Sequence, residues 1–126
     1  MLPLVLLVDD DEFARGFART VLERAGWAVH EAETVAMAMS IAASLPFAVA
    51  VTDWHLPDGD GAELARRLHE KSPRLPVVLI SADTLALDSI RDEAAAGEFS
   101  SILRKPFSPS VLVEAIRAAL SGGTEK

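Results

Sequence analysis

Short apolar segments alternate with longer amphipathic segments along the whole chain. Most of the short segments are apolar at consecutive positions, as expected for parallel strands that helices cover on both faces. Alternation of this kind is typical of βαβ units. The pattern predicts strands at Leu4–Val8, Ala28–Ala32, Phe47–Thr52, Val77–Ser81 and Ser100–Arg104.

These elements predict an α/β fold built on a doubly wound, five-stranded parallel sheet. The second segment, Ala28–Ala32, is the most polar and is therefore expected at a sheet edge. Residues 1–121 are predicted to form one domain and residues 122–126 a flexible tail. The first and last helices carry apolar stripes that we expect to face the sheet: Phe13, Phe17 and Val21, and Leu112, Ile116 and Leu120.

Composition narrows the function classes. The chain has 126 residues, of which 50% are hydrophobic, enough for one compact core. A net charge of −7, without a Lys/Arg patch, argues against direct binding of nucleic acid. The absence of cysteine excludes disulfides and thiol chemistry. The apolar run Leu2–Val8 is short and lacks a basic lead, so we expect no signal peptide, no membrane span and a cytoplasmic location.

Polar side chains follow four of the predicted strands. Because the carboxyl ends of parallel strands meet at one edge of the sheet, these side chains should converge there. Clustered carboxylates without His or Cys suit Mg²⁺, which binds through carboxylates, waters and a substrate phosphate. The residues are Asp9, Asp10 and Asp11 after the first strand, Asp53 after the third, Ser81 at the end of the fourth and Lys105 after the fifth.

Each residue type suggests a role in phosphoryl transfer. Asp53 is the candidate nucleophile, since a carboxylate can form an acyl phosphate when nearby cations neutralise the transferred oxygens. Lys105 would contact one phosphoryl oxygen, and the Ser81 hydroxyl would donate to another. Asp11 is expected instead to cap the first helix.

Four segments, in this order and at these separations, resemble the receiver domain of bacterial response regulators in two-component systems. They are Leu6–Asp10, Asp53–Gly61, Ser81–Ala82 and Lys105–Phe107. The resemblance covers nearly the whole chain and implies a flavodoxin-like fold with strand order 2-1-3-4-5 and helices on both faces. It also implies a signalling switch rather than a turnover enzyme. A sensor histidine kinase or histidine phosphotransfer protein would phosphorylate Asp53, which would slowly dephosphorylate itself.

The resemblance further assigns a metal site and a backbone feature. It implies that Asp10, Asp53 and the backbone carbonyl of His55 ligate Mg²⁺, with Mn²⁺ able to substitute, and that Asp9 acts through a water. It also implies a cis bond between Lys105 and Pro106. A downstream output domain or protein would read the phosphorylated state, while the cognate kinase and any homodimer stay open.

Two departures from the family leave alternatives open. Ile102 stands where the family usually carries an aromatic residue, with Phe99 as an offset substitute, and Ser81 replaces the commoner Thr while keeping the hydroxyl. A degenerate module that works without phosphorylation is therefore one alternative. A haloacid-dehalogenase-like phosphatase is another, although it would need a second acid where this chain has His55. We expect the His55 side chain at the rim of the site.

Overall fold

A computed structural model describes residues 2–83, 85, 87–88 and 97–122 of the chain. The last four residues of the predicted tail lie outside this part. The elements are β1 (Leu4–Val8), α1 (Glu12–Arg24), β2 (Ala28–Ala32), α2 (Val35–Ala42), β3 (Val49–Asp53), β4 (His55–Leu56), β5 (Gly59–Asp60), α3 (Gly61–Lys71), β6 (Val77–Ser81), β7 (Ser101–Arg104) and α4 (Pro109–Gly122).

Five strands form one parallel sheet in the order β2-β1-β3-β6-β7. Since β6 and β7 are the fourth and fifth strands of this sheet along the chain, this is the predicted order 2-1-3-4-5. The predicted edge position of β2 is also confirmed. Strands β4 and β5 form a separate two-residue antiparallel pair. The register aligns Asp53 with Ile80 and Ser81 with Arg104, so the predicted site residues end neighbouring strands at one edge.

Helices cover both faces of the sheet, as predicted. Alternate residues of β1 enter different cores: Val5 and Leu7 pack under α1 and α4, whereas Leu6 and Val8 pack under α2 and α3. All four are fully buried, which explains why the strand reads as a continuous apolar run. In α4 the predicted stripe is confirmed, because Leu112 and Ile116 are fully buried.

The predicted stripe on α1 is wrong at Phe13 and Phe17, whereas Val21 is partly buried against the core, as predicted. Phe13 is 87% exposed and Phe17 is 45% exposed, while Ala18 and Leu22 face the sheet. The small side chain of Ala18 lets the helix approach the sheet closely.

No helix in the described part of the chain is long and apolar enough to cross a membrane.

Candidate functional site

Three predicted site residues meet at the carboxyl edge of the sheet. Asp9 follows β1, Asp53 ends β3 and Lys105 follows β7. The Lys105 ammonium nitrogen lies 2.8 Å from Asp53 Oδ2 and 3.0 Å from Asp9 Oδ2. One cation therefore bridges two carboxylates that come from different strands.

Burial makes this cluster electrostatically unusual. The Asp9 side chain is 1% exposed and that of Asp53 is 14% exposed. Burial raises the pKa of Asp9, although the Asp11 amide and the Lys105 ammonium both act to lower it. Burial by itself would lower the pKa of Lys105, but hydrogen bonds and attraction from Asp53 and Asp9 raise it overall. Lys105 is thus held in its charged form.

The remaining acidic residues of the first loop have different surroundings. Asp10 is exposed, next to the buried Asp9. Asp11 caps α1, because its carboxylate accepts hydrogen bonds from the Phe13 and Ala14 amides at 3.0 and 3.3 Å. This is the capping role predicted from the sequence.

Ser81 lies buried at the end of β6, and the Lys105 amide donates to its carbonyl oxygen at 2.9 Å. Its hydroxyl oxygen accepts a hydrogen bond from the Asp83 amide at 3.0 Å. A hydroxyl that accepts such a bond can still donate its own proton.

The peptide bond between Lys105 and Pro106 is cis, as the resemblance implied.

The rim of the site is formed in part by His55. Its side chain is 68% exposed, as predicted, and its Nε2 lies 2.8 Å from Asp83 Oδ2. The His55 amide donates to Asp53 Oδ1 at 3.3 Å. The contact with Asp83 joins the segments after β3 and β6, and sequence reasoning did not find it.

The Asp60–Gly61 pair of the motif supports the main chain around Asp53. Asp60 caps α3 by accepting from the Glu63 amide at 2.8 Å. A Cβ atom on Gly61 would lie 2.8 Å from the Asp53 carbonyl oxygen and 2.9 Å from Leu79. Only glycine allows α3 to start this close to the end of β3.

Asp58, in the same loop, holds the start of α2. Its two carboxylate oxygens accept hydrogen bonds from the Val35 and Ala36 amides at 2.8 and 3.0 Å. These bonds lower the pKa of Asp58. The motif loop is therefore tied to two helices at once.

The carboxylates at the edge of the sheet suit an open cation site. Among the described residues, no group of three or more His, Asp or Glu side chains stands close enough to hold a metal ion. Asp9 and Asp53 are nevertheless two carboxylates drawn to one cationic nitrogen, with Asp10 exposed beside them. Mg²⁺ commonly takes one or two carboxylates and keeps several waters. The set fits such an open site and not a closed protein cage.

The model of the response regulator receiver domain family matches residues 5–117. The chain is a receiver domain of this family. Its fold and the order of its site residues agree with that membership, and receiver domains are signalling switches of two-component systems.

Several curated relatives support the assignment. The KDP operon transcriptional regulatory protein KdpE of Escherichia coli is 38% identical over 117 residues, covering 92% of this chain and 50% of KdpE. The response regulator receiver protein CpdR of Brucella abortus is 34% identical over 116 residues, covering 92% of this chain and 95% of CpdR. The receiver thus spans about half of the first relative and nearly all of the second.

Solved structures show the same fold. A CheY-like receiver domain from Methanospirillum hungatei has a TM-score of 0.89 at 26% identity, with 99% of this chain and 98% of that chain covered. TrrA of Thermotoga maritima, solved in complex with Mg²⁺-BeF, has a TM-score of 0.85 at 21% identity, with 94% and 100% covered.

The region that departs from the family contains a small apolar cluster. Ile102 and Phe99 are both partly buried and pack, together with Trp54, against Leu79 and Leu87. Trp54 directly follows Asp53 in the chain, so the residue next to the candidate nucleophile packs in the same apolar cluster as Ile102. Sequence spacing gives no sign of this contact between Trp54 and the cluster.

Proposed function

We propose that Asp53 accepts a phosphoryl group from the phosphohistidine of a sensor histidine kinase or phosphotransfer protein. A carboxylate oxygen of Asp53 attacks phosphorus, the bond from phosphorus to the donor imidazole breaks, and the imidazole leaves with its electron pair. The observation that carries the proposal is the ammonium of Lys105, 2.8 Å from Asp53 Oδ2. It would stay close to the oxygens that gain negative charge during transfer.

The surrounding residues divide the remaining tasks. Lys105 would contact a transferred oxygen as a point charge, and the Ser81 hydroxyl would donate to another. Receiver domains bind Mg²⁺, and TrrA was solved with Mg²⁺-BeF. In this chain Asp9, Asp10, Asp53 and the His55 backbone carbonyl would hold the ion, and Mn²⁺ could replace it. The bound ion supplies positive charge against the oxygens of the acyl phosphate.

The phosphodonor protein would approach over the apolar surface that the exposed Phe13 and Phe17 side chains of α1 form. A groove of about 500 Å³ beside Lys105 is lined by Phe13, Phe17 and Phe107 among others. The groove and the site share Lys105, so a donor protein seated there would bring its phosphohistidine close to Asp53. The domain would act in the cytoplasm, where water would later hydrolyse the acyl phosphate on Asp53. An output domain or protein would read the phosphorylated state.

Intact mass spectrometry tests the proposal directly. The domain is incubated with a small phosphodonor and Mg²⁺, and we expect the mass of one phosphoryl group to be added. Asp53→Asn should abolish the adduct. Asp11→Asn is the matched control, because asparagine caps a helix as well as aspartate, and it should keep the adduct. An unmodified wild-type domain under saturating donor refutes the proposal and favours a module that works without phosphorylation.

A further inference from the structure

Arg15 has an unusual position for an arginine on a surface helix. Its side chain is only 12% exposed and lies between α1, the edge strand β2 and the loop after β1. Its Nε donates to Glu31 at 2.7 Å, and its Nη1 donates to the backbone carbonyl oxygen of Asp9, also at 2.7 Å. One planar guanidinium therefore joins the end of β2 to the acidic loop.

The Asp9 carbonyl is a sensitive place for such a bond. It belongs to the planar peptide group that joins Asp9 to Asp10, so holding this oxygen fixes the plane from which Asp10 begins. On the other side, the Asp9 amide donates to the Ala32 carbonyl at 3.1 Å. Both peptide groups of Asp9 are thus anchored, one by β2 and one by Arg15.

We propose that Arg15 is a positioning residue for the cation site of the receiver. Arg15 would not contact the ion. Its guanidinium holds the peptide group between Asp9 and Asp10 and thereby orients the carboxylates of these two residues. This inference rests on the proposed function, since it assumes that these carboxylates bind Mg²⁺. Partners of metal ligands commonly change metal affinity 10- to 100-fold when they are removed.

Arg19 provides a matched control on the same helix. It also pairs with Glu31, and it pairs with Glu23 at 3.0 Å, but it makes no bond to the Asp9 carbonyl oxygen. If Arg15 acted only by joining α1 to β2, removing Arg19 would affect the site in a similar way.

Charge and positioning predict opposite results for Arg15→Gln. Arg15 carries a positive charge beside the loop of Asp9 and Asp10. Removing that charge should strengthen Mg²⁺ binding, because the cation would meet less electrostatic repulsion. Losing the bond to the Asp9 carbonyl should weaken it. Arg15→Lys separates the two effects further. Lysine keeps the positive charge, but its single ammonium nitrogen cannot bond Glu31 and the Asp9 carbonyl oxygen with the geometry of the guanidinium.

The experiment is a Mg²⁺ titration of the full chain, followed by quenching of Trp54 fluorescence. We expect both Arg15 variants to raise the Kd for Mg²⁺ by about 10-fold or more, and Arg19→Gln to change it by less than about twofold. Unchanged or tighter binding in either Arg15 variant overturns the inference. If Arg15→Gln does not fold, Arg15→Lys carries the test.

A measurement without metal separates this inference from the proposed function. The Asp11 amide donates to Asp9 Oδ1 at 2.9 Å, so its hydrogen exchange reports how firmly the loop is held. In metal-free protein we expect exchange at Asp11 to accelerate about 10-fold in both Arg15 variants and to stay unchanged in Arg19→Gln. Unchanged exchange in the Arg15 variants refutes the positioning role. A wild type that does not bind Mg²⁺ refutes the proposed function instead.

Discussion

Replacing Lys105 with glutamine should destabilise the receiver at neutral pH, because the change leaves the buried carboxylate of Asp9 and the partly buried carboxylate of Asp53 without their cation. The ammonium makes two charge-assisted hydrogen bonds, at 2.8 and 3.0 Å, and its side chain is 21% exposed. Bonds of this kind contribute about 1.5–3 kcal/mol each, and the cost of burying the ammonium offsets part of that. We expect the free energy of unfolding to fall by roughly 2–4 kcal/mol.

The pH dependence of this loss follows from Asp9. Its pKa is raised by burial, so the folded state holds the Asp9 proton more tightly than the unfolded chain does. Ionisation of Asp9 therefore costs stability as pH rises above the ordinary value of 3.8. Lys105 limits that cost, since it acts to lower the pKa of Asp9. The loss in Lys105→Gln should thus be larger near about pH 7.5 than near about pH 5.

Urea unfolding of both proteins at the two pH values, followed by circular dichroism, measures these differences. Lys71→Gln makes the same chemical change at an exposed site at the end of α3 and should stay within about 0.5 kcal/mol of wild type. A loss for Lys105→Gln no larger than that of Lys71→Gln would refute the reasoning. So would a loss that does not depend on pH.

Three further substitutions concern backbone packing and the partner surface. Gly61→Ala should destabilise the domain by about 1–3 kcal/mol in urea unfolding, because its Cβ would meet the Asp53 carbonyl oxygen. Gly16→Ala, within α1 and with nothing within 4 Å of its Cβ, should instead stabilise it by about 0.5–1 kcal/mol. Phe13→Ser should slow phosphotransfer from a cognate phosphorylated kinase at least about 10-fold. It should leave stability and labelling by a small phosphodonor unchanged, and equal slowing with both donors would contradict the role of this surface.

The strands and the convergence of the site could be predicted because they depend on local pattern and on a general rule of parallel sheets. A strand buried on both faces leaves a continuous apolar run, as Leu4–Val8 does. Once the strands are parallel, Asp9, Asp53 and Lys105 must end at the same edge. The bridge from Lys105 to both acids was not predicted, because β7 lies two strands from β3 and three from β1, and the contact depends on how far the Lys105 side chain reaches across the edge.

The rotation of α1 could not be predicted in the same way. Phe13 and Phe17 share a fourfold spacing with each other, but so do Ala18 and Leu22, so periodicity fits either face. The choice depends on how closely the helix can approach the sheet, which is a tertiary property. Pairs such as His55 and Asp83, 28 residues apart, likewise depend on two loops meeting and leave no trace in sequence spacing.

Asp9 is held by two cations that act on different parts of it. Lys105 bonds its carboxylate from the side of Asp53, and Arg15 bonds its backbone carbonyl from the side of β2. Under the proposed function, Lys105 would turn toward the phosphoryl group on Asp53 and its bond to Asp9 would weaken. The backbone bond from Arg15 does not involve Asp53 and would persist. The acidic loop could then keep its geometry through a phosphorylation cycle even while its side-chain partner moves.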